Sequence, residues 1–365
     1  MTSALHAVLA KLACLALCAA HQHRLTRVNV DISQALPVHK EAQKWAKRLE
    51  ENYSNPTHAT RDVAYVERIV AISYVVTGIA GREMYFSLSL SNLRANGNWS
   101  GDIFVLTDDF RCVPDFLAIP VKLPPMPAVL TRDERTRHAK YFKQQLLHLL
   151  PLKTEHQYVL YMDSDVYTGT SLPSFLEMAV AQFEARGASL AIYREGTGIN
   201  GEANHSDLLE PYLQAAENSE QARLLIARQI TQHPCMRNYS FFHGGIFLAS
   251  RRLESRRCLA SWGEWYNNTC HRDQPYLSRA VMSGACKLSL LPQDTLGFPT
   301  KRNSGQYWTF NHFTRTSRMK GNDGVDLATL KEAGIKLLNL DKHFVNKWWK
   351  SGSPFCVGPP PHSAV

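Results

Sequence analysis

No pair of cysteines in this 365-residue chain has C-x-x-C spacing, which argues against a zinc ribbon. No zinc-finger spacing and no long Lys/Arg run is present, so nucleic acid is not an expected partner despite the net charge of +9. The first strand-like run is followed by no G-x-G-x-x-G, and the chain has no P-loop, which argues against dinucleotide and Walker-type chemistry. Internal repeats and a low-complexity core are absent too. The apolar run Ala4 to Ala20 is seventeen residues long and is interrupted by His6 and Lys11, a poor spanning helix.

What remains is an ordinary globular composition with a basic balance, pI about 9.1, suited to anionic ligands such as nucleoside diphosphates. The N-terminal run ends in Leu17-Cys-Ala-Ala20, a small-residue stretch like a signal-peptide cleavage site. Residues 1–24 therefore read as a signal peptide or, second, a short membrane anchor. A transit peptide is third, since no acidic residue precedes Asp31. Five N-x-S/T sequons, at Asn52, Asn98, Asn204, Asn238 and Asn267, fit a life in the secretory lumen (Golgi or ER) or outside the cell. Beyond Cys14 and Cys18, six cysteines remain (Cys112, Cys235, Cys258, Cys270, Cys286, Cys356). That even number permits disulfides without specifying their connectivity.

The most informative segment is Tyr158-Val-Leu-Tyr-Met162, an apolar run broken by Asp163-Ser-Asp165. Such a run reads as a buried strand, and its carboxyl end is where open α/β sheets bind ligands. Two carboxylates there are costly unless paired. A divalent cation with hard-oxygen preference, Mg²⁺ or Mn²⁺, holding a diphosphate would pair them. The same triplet also serves in turns and helix caps, where Asp bonds nearby amides.

Around it the sequence predicts strands at Ile69–Ile79, Asp102–Asp108 and Val121–Leu123. It predicts helices over Arg82–Arg94 and over Thr136–Leu150, the latter closed by Pro151. Further strands are expected at Ser189–Tyr193 and Phe241–Ala249, and helices over Leu253–Tyr266 and Gln274–Ser283. The β-α-β-β-α-β order implies an α/β fold, a mostly parallel sheet with helices on both faces. A charged amphipathic helix is expected at Val38–Glu51. The polar stretch 195–240 reads as an insertion with one helix, Ser206–Thr231, where specificity often resides. The tail from Ser351 is rich in Pro and Gly and reads as extended or disordered.

Five features in order carry a resemblance: a first βα unit at Tyr74–Asn92; Lys143; Asp163 and Asp165; His243-Gly-Gly-Ile-Phe-Leu248 with Asp273-Gln274; and His312-Phe-Thr-Arg-Thr-Ser-Arg318. The set resembles nucleotide-sugar glycosyltransferases of the GT-A (Rossmann-like) fold, most of all glycosyltransferase family 8, which includes glycogenin. The resemblance covers roughly residues 69–320 as a single large domain. That leaves 25–68 as stem and helix and 321–365 as a C-terminal extension. It implies that Asp163, Asp165 and His312 bind Mn²⁺ (or Mg²⁺) with the donor diphosphate. The family's His-Phe-x-Gly-x-x-Lys is matched at His312-Phe313, but Arg315 replaces the Gly and Arg318 stands at the Lys position. Arg318 keeps a cation able to bind phosphate bidentately.

By the same resemblance Lys143 lies near the donor, with Lys140 or Arg137 as alternatives, or else a solvated helix face. Gly244 and Gly245 line the sugar, in a strand where His243 replaces the family's Asn; a β-bulge is the plainer reading. Asp273 with Gln274 contacts the transferred sugar, an N-cap being the plainer role for Asp273. Thr77 is the choice for the base and ribose loop. The expected donor is a nucleotide-sugar, a UDP-sugar being the family default, and the acceptor a glycan, protein or lipid hydroxyl. Retention of configuration is implied; an inverting enzyme would need a positioned base, for which Asp273 stands as candidate. Two other readings remain at this stage. One is a glycan- or nucleotide-sugar-binding protein without catalysis, suggested by Arg315 and His243. The other is a sugar nucleotidyltransferase, of which Gly78-Ile-Ala-Gly-Arg82 is a faint echo.

Overall fold

The computed structural model describes residues 65–77, 84–110, 113, 117–123, 132–194, 242–266, 273–297 and 308–312. In chain order the elements are β1 (Val70–Val76), α1 (Met84–Ala95), β2 (Ile103–Thr107), β3 (Ile119–Lys122), α2 (Arg132–Gln144) and α3 (Leu146–Leu149). There follow β4 (Tyr158–Met162), β5 (Val166–Thr168), α4 (Pro173–Arg186), β6 (Leu190–Arg194), β7 (Phe242–Ser250), α5 (Leu253–Tyr266) and α6 (Gln274–Met282). Last come β8 (Leu288–Leu290), a short 3₁₀ turn, β9 (Leu296–Gly297) and β10 (Phe310–His312). The expected helices at Val38–Glu51 and Ser206–Thr231, the N-terminal apolar run and the Pro/Gly-rich tail lie outside the described residues.

Alternation along the strands builds the layers, because successive side chains point to opposite faces. Ile72, Tyr74 and Val76 of β1, Leu160 and Met162 of β4, and Ile246 and Leu248 of β7 face one core with Phe86 and Leu90 of α1 and Phe175 and Leu176 of α4. Ala71 and Val75, Val159 and Tyr161, and Phe247 and Ala249 face the other, with Leu146 and Leu147 of α3, Trp262 of α5 and Tyr276 of α6. Both sheet faces are thus covered, as near-continuous apolar strands require. The large sheet runs β3-β2-β1-β4-β7-β6-β8. Its β1–β2, β2–β3, β1–β4 and β6–β8 pairs are parallel, whereas β7 is antiparallel to both β4 and β6. The α/β class and the mostly parallel sheet are therefore as expected. The direction of β7, on which periodicity is silent, is a feature the sequence reading leaves open.

One expectation needs correction. The single helix expected over Thr136–Leu150 is two. At Gln145 the backbone leaves helical values (φ −99°, ψ 1°), and its N–H bonds back three residues, to Phe142 O at 3.0 Å. The break turns Leu146 and Leu147 into the core while Lys143 stays aimed at the sheet edge. A G-x-G-x-x-G run occurs later in the sequence, at Gly196–Gly201, outside the described residues. Among the described residues the next strand after β6 is β7, antiparallel to it, so these two strands do not form the parallel βαβ unit a dinucleotide fingerprint needs.

A second, three-stranded sheet, β5-β10-β9, sits where the chain leaves β4. Val166 of β5 pairs with His312 of β10, and Phe310 and Asn311 of β10 pair with Leu296 and Gly297 of β9. Cys258 of α5 and Cys286, just before β8, form a disulfide.

Candidate active site

The site grows from the carboxyl end of β4. Asp163 keeps one ladder bond, its N–H donating to Gly245 O at 2.7 Å, while its side chain leaves the sheet. Asp165 follows two residues on and leads into β5. The antiparallel register then sets His312 opposite Val166, next to Asp165. One ligand atom from each of Asp163, Asp165 and His312 lies within 4.8 Å of the others, and His312 Nε2 is 3.4 Å from Asp165 Oδ1. The His312 side chain is 13% exposed and that of Asp165 36%, a half-open arrangement that lets a ligand reach the cluster. Two carboxylates and one imidazole are a donor set that fits Mn²⁺ or Mg²⁺. Their fit is chemical as well as spatial: two converging carboxylates repel each other without a cation between them.

Tyr161 completes this half. Its hydroxyl donates to Asp163 Oδ1 at 2.6 Å, fixing one carboxylate oxygen. Burial, reinforced by the negative charge of Asp163, holds the phenol well above its ordinary range, so it stays a donor.

The second half is a buried ion cluster. Lys143 is 2% exposed; it donates to Gly244 O at 2.8 Å and pairs with Asp273 Oδ2 at 2.5 Å. Lys140, one turn earlier on α2, reaches Asp273 Oδ1 at 3.2 Å. The Lys143 ammonium also lies 5.2 Å from the Trp262 ring centroid and 5.6 Å from that of Tyr161, within cation–π range. Burial alone would push Lys143 down, but Asp273, and after it Asp163, hold it above its ordinary value. Burial alone would push Asp273 up; Lys140 and Lys143 outweigh it and hold the carboxyl at about 2. The solvated-face reading of Lys143 is therefore excluded. Asp273 does stand at the N-cap position of α6, yet its side chain makes no capping bond; it is committed to the two lysines. Trp262 Nε1 donates to Asp273 O at 2.9 Å, which anchors that position from α5.

The two halves meet at β7. With β4 its register is regular from Ser250 to Ile246. With β6 the register shifts: Ile192 faces Phe247, but Arg194 faces Phe242. The irregularity falls on His243-Gly-Gly245, where the bulge reading expects it. A Cβ at Gly245 would lie 2.7 Å from Asp163 Oδ2 and 3.0 Å from His243 Cε1, so only glycine leaves Asp163 its place. His243 is 4% exposed, and its Nε2 lies 2.7 Å from His312 Nδ1. Burial, then the charges of His312 and Lys143, push His243 well below its ordinary value, so it is neutral.

Of the residues expected from sequence, the structure brings together Asp163, Asp165, His312, Lys143, Asp273, Gly244 and Gly245. Gln274 begins α6 beside them; its side chain is 9% exposed, and its Oε1 has no hydrogen-bond partner among the described residues. Thr77 is buried and follows directly on β1, at the same sheet edge. Arg318 lies outside the described residues. Tyr161 and Trp262 are new. Tyr161 had a signal, since period-two alternation puts it on the side of the strand that Asp163 continues. Trp262 had none, because its contact depends on how α5 meets α6.

No protein-family model matches the sequence, and no curated protein matches it. Among solved structures the chain is similar to the galactosyltransferase LgtC in complex with donor and acceptor sugar analogs. The identity is 13%, with 76% of this chain and 99% of that one covered and a TM-score of 0.44. It is also similar to mouse xyloside xylosyltransferase 1 in its apo form (12% identity, 68% and 99% covered, TM-score 0.41). A third is the bifunctional glycosyltransferase WbbM (13% identity, 68% and 46% covered, TM-score 0.42). Likenesses this distant say nothing of substrate, and the chemistry rests on the residues themselves.

Proposed function

We propose that this chain is a metal-dependent glycosyltransferase that moves a sugar from a nucleoside-diphosphate sugar, a UDP-sugar by preference, to an acceptor hydroxyl. The observation that carries the reading is the Asp163/Asp165/His312 cluster set beside a buried, twice-paired Lys143–Asp273 ion pair at one sheet edge. In the reaction the bond from the anomeric carbon to the diphosphate breaks, one to the acceptor oxygen forms and the acceptor's proton passes to the departing diphosphate, so negative charge grows on the leaving group as the bond breaks. A divalent cation held by Asp163, Asp165 and His312 would stabilise that charge. Lys143, Lys140 and Arg318 add positive charge around the same group, and Thr77 faces the base and ribose.

Asp273 suits hydroxyl binding rather than proton removal. A carboxyl held at about 2 by two lysines is a weak base at neutral pH, because a general base works best with a pKa near the operating pH. It remains a strong acceptor of a hydrogen bond from a sugar hydroxyl. This favours the retaining route, in which Asp273 and Gln274 orient the sugar and no residue must strip the acceptor in advance. Turnover in a panel of UDP-, GDP- and CMP-sugars with Mn²⁺ tests the reading. Slow nucleotide release from one donor, abolished by EDTA, is the expected result. Metal-dependent donor binding with no release under any acceptor would point instead to a binding protein. Pyrophosphate release from a nucleoside triphosphate would point to a nucleotidyltransferase.

We further infer that the chain works in an oxidising, glycosylating compartment. The Cys258–Cys286 disulfide supports this, since such bonds persist in the secretory pathway. So does Asn98: it is exposed, at φ 48°, in the turn after α1, with Ser100 of its sequon also exposed. The expected outcome is a carbohydrate on Asn98 in protein secreted from eukaryotic cells. Asn98→Asp, which tolerates the same left-handed backbone, removes one glycan increment on a gel. An unchanged mass before and after enzymatic deglycosylation of the wild type would refute the compartment assignment.

A further inference from the structure

His243 is buried between the two halves of the site and meets the cation cluster through His312. Its Nε2 lies 2.7 Å from His312 Nδ1, the rings crossing at 84° with centroids 4.7 Å apart. The other nitrogen of His312, Nε2, is the one that faces Asp165. A hydrogen bond between two imidazoles needs one N–H and one lone pair. If His243 donates, a neutral His312 carries its proton on Nε2, where it blocks that lone pair. If His243 accepts, the proton stays on Nδ1 and Nε2 is open to a cation.

Resting on the glycosyltransferase reading, we propose that His243 is a positioning residue for His312: its Nε2 accepts the Nδ1–H of His312 and so presents the Nε2 lone pair to the metal. Metal-bound histidines generally have their second nitrogen held by an outer acceptor, and loss of that acceptor weakens binding. The usual acceptor is a carboxylate, carbonyl or water; here it is a second imidazole. Burial keeps water from competing for this contact: His243 is 4% exposed, and the missing side chain at Gly245, whose Cβ would lie 3.0 Å from His243 Cε1, leaves room for the ring. The β6–β7 register shift falls at His243–Gly245, where the ring meets His312.

Two variants of the full chain separate acceptor chemistry from packing. His243→Phe keeps a ring and removes the acceptor; His243→Gln places an amide oxygen near the position of Nε2. Mn²⁺ affinity, read from free Mn²⁺ by electron paramagnetic resonance, is expected to fall about 10- to 100-fold in His243→Phe and to stay within about threefold of wild type in His243→Gln. Independently, ¹⁵N-histidine spectra of the wild type with Mg²⁺ should show His312 protonated at Nδ1 and not at Nε2. Equal Mn²⁺ affinity in the Phe variant overturns the inference while leaving the metal site intact; a His312 proton on Nε2 with metal bound overturns it and also removes His312 from the ligand set. Failure of the wild type to bind Mn²⁺ or Mg²⁺ at all overturns both the inference and the functional reading beneath it. If His243→Phe does not fold, the spectra and the Gln variant still decide.

Discussion

Replacing Asp163 and Asp165 together by alanine is expected to lower donor turnover by at least about 10³-fold, some 4 kcal/mol of transition-state stabilisation at about 1.4 kcal/mol per decade. The loss has one cause in this geometry. His312 alone cannot hold a hard cation against water, and without the cation the leaving diphosphate faces only lysine and arginine side chains. Folding should be nearly untouched. Both aspartates stand outside the two cores, and their removal relieves mutual repulsion. The Tyr161 hydroxyl loses its acceptor, at a cost of about 1 kcal/mol. Unfolding free energies from urea titration should therefore agree within about 1 kcal/mol, while nucleotide release disappears. EDTA must bring the wild type to the level of the variant, and added Mn²⁺ must rescue only the wild type. Residual EDTA-sensitive turnover in the double variant would place the metal elsewhere and sink the reading.

How much of this was legible beforehand depends on the range of the interactions involved. β1, β4 and β7 announce themselves because burial on both faces gives apolar runs, and α5 because its amphipathic period is long enough to read. α4 falls outside the elements expected from sequence even though its signals are local: Pro173 at its start and Gly187, at φ 53°, at its end. β5 and β10 are three residues each, too short for any period to show. His312 could thus be proposed only through a family resemblance, whereas the physical reason for its place is the pairing of Val166 with His312. The Asp163–Asp165 pair was readable because a charged pair ending an apolar strand is locally anomalous. The Lys143–Asp273 bond, 130 residues apart in the chain, was not readable from charge pattern, since both lie in segments where an exposed lysine or a capping aspartate is the commoner arrangement. Likewise, no pattern within β7 records that it runs antiparallel to both β4 and β6.

That ion pair carries the second large expectation. Lys143→Met should destabilise the protein by about 3 kcal/mol, the lower end of what breaking a buried pair costs, because Lys140 still reaches Asp273 Oδ1. The acid limb tests the cause. Asp273 has a folded pKa of about 2 against an ordinary 3.8; a depressed carboxyl contributes stability that is complete above its unfolded value and fades as pH falls through its folded one. In the wild type that contribution, about 2 kcal/mol at about 1.4 kcal/mol per unit, should vanish between pH 3.8 and about 2. In Lys143→Met the carboxyl keeps one partner, so the window moves up and narrows. Adding Asp273→Leu to Lys143→Met removes both charges from the same buried volume, and most of the lost stability should return, since an apolar pair of similar size replaces a buried ion pair at little cost. Turnover should not return, because neither the cation near the leaving group nor the acceptor for the sugar hydroxyl remains. A double variant that regains stability yet stays inactive would assign the pair to chemistry; one that regains turnover along with stability would make Lys143 and Asp273 scaffolding for residues elsewhere at this edge.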